Sequence, residues 1–510
     1  MSGYLTISEL LATGHDDATA IAALNRPALT YKGLRAHVER TVIALHRLGI
    51  GRADRVAIVL PNGPEMATAF VSIAACATTA PLNPAYRLEE FDFYLSDLGV
   101  KALLVEQNSA SPAIEAAAAD NIPILEAAVD ETAAAGLFEI IPSQGITWGK
   151  PASYGNFAGP NDVALVLHTS GTTSKPKIVP LTHRNVCTSA SNICRTLKLT
   201  PVDRCMNVMP LFHIHGLMAA ILSTLSVGAS VFCTPGFDPL RFFSWLKAVK
   251  PTWYSAVPTM HQAILSRARH NEENIGATEL RFIRSASASL PPQVMHQLES
   301  TFNAPVVEAY AMTEAAHQVT SNPLPPRWRR PGTVGPAAGP EVSIMDEQGS
   351  LLPFGTVGEV VIRGANVTLG YENNPSANAE QFTNGWFRTG DQGVIDKEGY
   401  LTITGRLKEI INRGGEKISP REVDEVLMGH PVVEQAVTFA MPHDKLGEEI
   451  AAAIVLQKGA ESTEHAIHAF AAEHLANFKV PRKVLFLDKL PKGPTGKIQR
   501  IDLAKQLGVA

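Results

Sequence analysis

Cysteine is scarce: 510 residues hold five, Cys76, Cys187, Cys194, Cys205 and Cys233, an odd number with no CxxC pair. A disulfide scaffold and a thiolate metal site are thereby excluded, and the expectation is reduced core thiols in a cytoplasmic protein. A basic excess is lacking too. Lys and Arg number 44 against 49 Asp and Glu, a net charge of -5, which argues against a nucleic-acid partner. No apolar run is long enough for a membrane span, since the stretch from Leu217 to Phe232 is broken by serines and a glycine. The start, MSGYLTISELL, shows no basic region followed by an apolar one, and the end, LGVA, carries no SKL-type address. The expected location is the cytoplasm, with no membrane partner. No solenoid repeat is seen.

What is present reads as a soluble enzyme, 45% apolar and 18% charged, and long enough to expect two or more domains. From residue 50 to about 125, β-rich runs alternate with helix-like segments. Arg55–Pro61 reads as a buried strand, Pro64–Thr78 as a helix, and Ala102–Glu106 as a strand. An Ala-rich helix around Ile114 and a strand Ile122–Leu125 follow. The Ala-rich stretch 113–135 reads as a surface helix without function. This alternation predicts parallel α/β sheets, and it recurs at Val163–Leu167 and Val306–Ala309. After Pro331 shorter strands and glycine turns (Val357–Arg363, Tyr400–Thr404) predict a β subdomain. Behind Gly405–Arg406, a helix Pro420–Met428 alternates with strands Ala436–Ala440, Ala451–Val455 and Lys483–Leu487, predicting a small α+β domain.

Residues Thr169–Lys177 read TSGTTSKPK, after a strand and before a helix-like segment starting near Thr182. Small hydroxyl residues around a glycine, with Lys177, offer donors and positive charge to a polyphosphate. The string is not a Walker A loop, because Pro176 stands where the second glycine belongs. Taken whole, it resembles the signature loop of the adenylate-forming superfamily, which comprises acyl- and aryl-CoA synthetases, luciferases and peptide-synthetase adenylation domains. Further stations occur in that family's order: PLFHIHG (Pro210–Gly216), EAYAMTEA (Glu308–Ala315), WFRTGD (Trp386–Asp391), GR (Gly405–Arg406) and PKGPTGKIQR (Pro491–Arg500).

The resemblance implies an ATP- and acid-binding domain over 1–404, a hinge over 405–408 at Lys408, and a mobile C-terminal domain over 409–510. It implies an ATP site of Thr169, Ser170, Gly171, Thr172, Thr173, Lys177, Glu308, Ala309, Tyr310, Thr313, Asp391, Arg406 and Lys497. Tyr310 packs on adenine, Thr313 touches phosphate, Glu314 holds Mg²⁺, and Asp391 binds ribose. Lys497 is the catalytic cation of adenylation. Domain rotation then brings Gly414 and Gly415 to the pantetheine arm of CoA.

For the acid, His213, His215, Ser287, Ser289, Ala311 and His317 are the candidate pocket residues. Ala309 and Ala311, where aryl-CoA ligases have glycines, shorten the pocket and disfavour long or aromatic acids. Histidines and serines suit a second carboxylate, because an unpaired buried charge costs several kcal/mol. The strings PLFHIHGL, RFIRSASASL, EAYAMTEAAH, SNPLPP and GRLKEIINRGGEKISPREVDEVL resemble the oxalyl-CoA synthetases of plants and yeast. Oxalate, ATP and CoA are the implied substrates, and a monomer or homodimer the implied assembly. Malonate, glycolate and a coumarate-type acid are alternatives, as is an adenylation domain loading a carrier protein; the alanines disfavour luciferase-like oxygenation, and Lys497, Glu314 and Asp391 together speak against nucleotide binding without turnover.

Overall fold

The computed structural model describes residues 3–143, 152, 156–169, 176–491 and 500–510. Two compact units emerge. The first comprises the described parts of Met1–Thr169, Pro176–Val342 and Ile362–Glu380; the second includes Ser343–Val361 and the described part of Gln381–Ala510.

The first unit contains two large sheets. One has eight strands, in spatial order His317–Ser321, Val306–Met312, Phe282–Ala286, Trp253–Ala256, Arg204–Asn207, Ser230–Cys233, Thr19–Ala22 and Leu29–Thr30. Its six inner strands are parallel and its two edges antiparallel. The other has seven, in order Glu139–Pro142, Ile124–Ala128, Ala102–Glu106, Arg55–Val59, Thr78–Pro81, Val163–Thr169 and Lys177–Thr182, again parallel inside antiparallel edges. The predicted parallel α/β class holds. Near-continuous apolar runs such as RVAIV fill inner strands because both sheet faces are covered.

Two local expectations are corrected. The helix beginning at Pro64 ends at Ala74, and Thr78–Pro81 is a strand. β-branched Thr78 and Thr79 suit a pleated surface, and their hydroxyls donate to the Val163 and Ala164 carbonyls, each at 2.7 Å. The stretch 113–135 is not one surface helix. A helix Pro112–Ala119 buries Ala113, Ala116 and Ala117, and the inner strand Ile124–Ala128 follows. Asn121 in left-handed backbone (φ 55°) and then Pro123 end the helix there.

A five-stranded sheet draws on Glu341–Met345, Gly358–Arg363, Phe382–Thr383, Trp386–Ile395 and Leu401–Arg406. Another five-stranded sheet follows, built on the long antiparallel pair Val433–His443 and Gly447–Leu456. Helices Pro420–Met428 and Glu464–His474 contribute Val423, Leu427 and Ile467 to a core with Ile411, Ile450 and Ile454. No helix among the described residues is long and apolar enough to cross a membrane. All five cysteines are free, and four are buried.

Candidate active site

The strands Val163–Thr169 and Lys177–Thr182 form an antiparallel hairpin, and Thr169 opposite Lys177 is its last register pair. The two described ends of the phosphate-loop string, Thr169 and Lys177, thus lie on paired strands at a sheet edge. The helix expected near Thr182 starts at His183, with the Thr182 hydroxyl capping it from Asn185 N–H. Ser170, Gly171, Thr172 and Thr173 lie outside the described residues, as does Lys497.

The adenylate motif occupies the strand Val306–Met312 and the turn Thr313–Ala315. Ala309 is buried, while Tyr310, Ala311, Met312 and Thr313 are partly exposed. Glu308 turns inward, its Oε1 accepting from Leu290 N–H at 2.9 Å. Glu314 is 7% exposed. Its Oε1 accepts the Tyr371 hydroxyl at 2.8 Å, and its carbonyl accepts Thr368 N–H at 2.7 Å. The Lys177 ammonium lies over the face of the same Tyr371 ring, 4.6 Å from its centroid. Thr313 and Glu314 thus close the strand at one end of a chain that begins at the hairpin.

A second cluster lies deeper in the first unit. His215 opens a π-helical stretch, His215–Leu222, a form often found at functional sites. Its Nε2 meets Ser255 Oγ at 2.6 Å and its Nδ1 meets Ser287 Oγ at 3.0 Å. Its ring stacks on that of His317, centroids 4.9 Å apart. Gly216 is required beside it, because a Cβ there would lie 2.5 Å from the Pro210 carbonyl oxygen. Arg284, wholly buried on the strand Phe282–Ala286, reaches the same group. Its Nη1 is 3.4 Å from both His215 Nε2 and Ser255 Oγ, and its Nη2 is 3.4 Å from Gln318 Oε1. These contacts are long and weak. Arg284 Nε has no partner among the described residues, and burial pushes the guanidinium pKa down to about 9. Ser287, Ala316 and His317 take positive φ (74°, 46° and 94°), which costs non-glycine residues of order 1–3 kcal/mol each. His213 is partly exposed beside Phe212, and Ser289 has no hydrogen-bond partner among the described residues.

In the second unit, Asp391 is buried and pairs in register with Arg406, whose Nε donates to it at 3.1 Å. Glu359 braces the strand just before Asp391, accepting from Arg388 Nε at 2.7 Å and Gly390 N–H at 2.9 Å. Gly414 and Gly415 (φ 59° and 99°) form the two-residue turn between Ile411–Arg413 and Glu416–Ile418, where both positions need left-handed backbone. Lys408 sits in the short helix Leu407–Glu409. Arg500, at the end of the lysine motif, pairs with buried Asp424 and, at 3.2 Å, with Glu409.

Residues 9–372 match the family model described as AMP-binding enzyme, and 422–497 that described as AMP-binding enzyme C-terminal domain. The chain belongs to the AMP-binding enzyme family. Among its relatives, the oxalate–CoA ligase of Saccharomyces cerevisiae is 47% identical over 89% of this chain and 87% of that protein. The oxalate–CoA ligase of Arabidopsis thaliana is 46% identical over 98% of this chain and 97% of its own. In structure, ATP-bound MatB from Rhodopseudomonas palustris superposes with a TM-score of 0.87 at 29% identity, covering 98% of each chain.

For this AMP-binding enzyme, Arg284, Ser255, Gln318, Tyr371 and Glu359 were missed by sequence reasoning. Arg284 stands within the quoted string RFIRSASASL; an arginine inside an otherwise apolar strand is the available signal. No cluster of three or more metal-ligating side chains exists among the described residues. The single carboxylate of Glu314 fits Mg²⁺ that takes its remaining oxygens from phosphates and water.

Proposed function

We propose that this chain is an AMP-forming oxalate–CoA ligase. The observation that carries the reading is Arg284: a wholly buried guanidinium whose long hydrogen bonds go to His215, Ser255 and Gln318, with no carboxylate among them, and with the stacked rings of His215 and His317 beside it. A buried cation without an acid partner is costly, and a small dianion supplies that partner. Its second carboxylate satisfies the guanidinium while the first faces the nucleotide.

Oxalate is a poor electrophile because its leaving group would be oxide. Attack of one carboxylate oxygen on the α-phosphorus of ATP forms the oxalyl–AMP anhydride and releases pyrophosphate. Lys497 is assigned to the developing charge, and Thr169, Ser170, Gly171, Thr172, Thr173 and Lys177 to the phosphates. Tyr310 and Ala309 border adenine, Thr313 the α-phosphate, and Asp391 with Arg406 the ribose. Glu314 would hold Mg²⁺, which when bound offsets phosphate charge. The CoA thiol, losing its proton, then attacks the same carbonyl and expels AMP. In this step the 409–510 domain rotates about Lys408 and presents Gly414 and Gly415. His213, Ser287, Ser289 and Ala311 line the remaining wall.

An acid panel with ATP, Mg²⁺ and CoA, read by AMP release, tests the reading. Oxalate should lead malonate, glycolate, acetate and coumarate by at least tenfold. A panel led by coumarate or acetate would refute it.

A further inference from the structure

Gln318 follows His317 on the edge strand His317–Ser321 and is wholly buried. The pairing of this strand with Val306–Met312 shifts between Tyr310–Thr320 and Ala311–Gln318, an irregularity of the kind that re-aims side chains beside active sites. Asn366 braces the backbone there, its Nδ2 donating to the Gln318 carbonyl at 3.1 Å and to the Ala315 carbonyl at 2.8 Å. The Gln318 side chain fits only one way round. Its Nε2 donates to the Ala338 carbonyl at 3.0 Å and to Thr196 Oγ1 at 3.1 Å. A carbonyl can only accept, and the Thr196 hydroxyl directs its own hydrogen to the Asn192 carbonyl at 2.7 Å. Both neighbours therefore require the amide nitrogen, and Oε1 is left facing Arg284 Nη2 at 3.4 Å.

That contact joins the amide to the guanidinium proposed to meet the second carboxylate of the acid. A neutral amide oxygen orients a guanidinium and leaves its charge whole. A carboxylate in the same place would not. Opposite charges within about 4 Å in a poorly hydrated site attract strongly, and an entering acid would find the cation already paired. At 3.4 Å the contact is a loose guide, from which Arg284 can turn to an anion without breaking a strong bond. Ser255, directly opposite Arg284 in the strand register, guides Nη1 in the same way, at 3.4 Å and with a neutral oxygen. We infer that Gln318 is a positioning residue that sets acid specificity through Arg284. Its fixed amide oxygen aims the guanidinium, and its lack of charge keeps that cation for a substrate with a second carboxylate. The inference deepens the oxalate reading of this site and rests on it.

The test measures kcat and KM by AMP release, at fixed ATP, Mg²⁺ and CoA, for oxalate and for glycolate, an acid of equal carbon number with one carboxylate. Gln318→Glu hardly changes the shape of the side chain. Its kcat/KM for oxalate should fall by about 10² or more, since the new charge both pairs with Arg284 and repels the anion. The value for glycolate should stay within about threefold, so that the preference for the diacid collapses. Gln318→Met keeps the length and removes the acceptor. The KM for oxalate should then rise about three- to tenfold with kcat little changed, the loss of one weak hydrogen bond. A cooperative thermal melt establishes that each variant folds, and if Gln318→Glu does not, the KM of Gln318→Met decides. A role confined to packing would depress both acids alike. Equal losses for oxalate and glycolate, an undiminished preference for oxalate in Gln318→Glu, or an unchanged oxalate KM in Gln318→Met would overturn the inference. An unmodified protein that activates glycolate as readily as oxalate would instead strike the proposed function, and the inference with it.

Discussion

Arg284→Met isolates the charge recognition on which the choice of substrate depends. Methionine preserves much of the length of the arginine stem and removes the guanidinium. Breaking a buried charge pair by deleting one partner costs about 3–5 kcal/mol, and about 1.4 kcal/mol is tenfold in rate. The kcat/KM for oxalate should therefore fall by about 10²–10⁴, read by AMP release at fixed ATP and CoA. The free protein should respond in the opposite sense. Arg284 is fully buried, and among the described residues its side-chain hydrogen bonds are the 3.4 Å contacts to His215, Ser255 and Gln318. Replacing such a group with an apolar one is often stabilising, by about 1–4 kcal/mol. Thermal melting without ligands should stay level or rise, and the rise in Tm that oxalate gives the unmodified protein should vanish. A variant that retains oxalate turnover within threefold would refute the reasoning. So would one whose melting temperature drops steeply, since the arginine would then be structural.

Three further outcomes follow from the same structure. Arg500→Met leaves Asp424, fully buried and with its carboxyl raised by burial, without its main cation; the second unit should lose about 3–5 kcal/mol in urea unfolding. His37 is buried against Phe138 with neither ring nitrogen hydrogen-bonded among the described residues, and burial lowers its pKa to about 4. Its folded pKa lies below the ordinary value near 6.5, so stability is present above pH about 6.5 and is lost as pH falls toward about 4; His37→Phe should flatten that slope in Tm against pH. Gly216→Ala drives a Cβ to 2.5 Å from the Pro210 carbonyl oxygen, displacing His215; oxalate turnover should drop at least tenfold with ATP binding by calorimetry retained.

The readable features in the sequence were those with a local signature. Apolar runs closed by proline marked inner strands such as Arg55–Val59, and the motif strings located Glu314, Asp391 and Gly414–Gly415. What was illegible depends on contacts distant along the chain. Alanines of 113–135 divide between a helix and a strand because a left-handed Asn121 and neighbouring Ala102–Glu106 decide, and propensity does not. Thr78 and Thr79 left the helix for a strand paired with Arg55–Val59 and with Val163–Thr169, where the acceptors of their hydroxyls lie 85 residues on. Arg284 stands out only when burial removes water from it, and Tyr371 only when the fold brings Lys177 and Glu314, both far earlier in the chain, against it. The positive φ of Ser287 and His317 has no sequence mark either.

The most direct measurement is incorporation of labelled pyrophosphate into ATP, with Mg²⁺ and oxalate present and CoA omitted. Exchange that depends on oxalate, and disappears in Arg284→Met while the unmodified protein sustains it, is the result expected. Exchange that proceeds equally well with acetate, or never occurs until CoA is added, would contradict an oxalyl-adenylate formed beside a buried arginine.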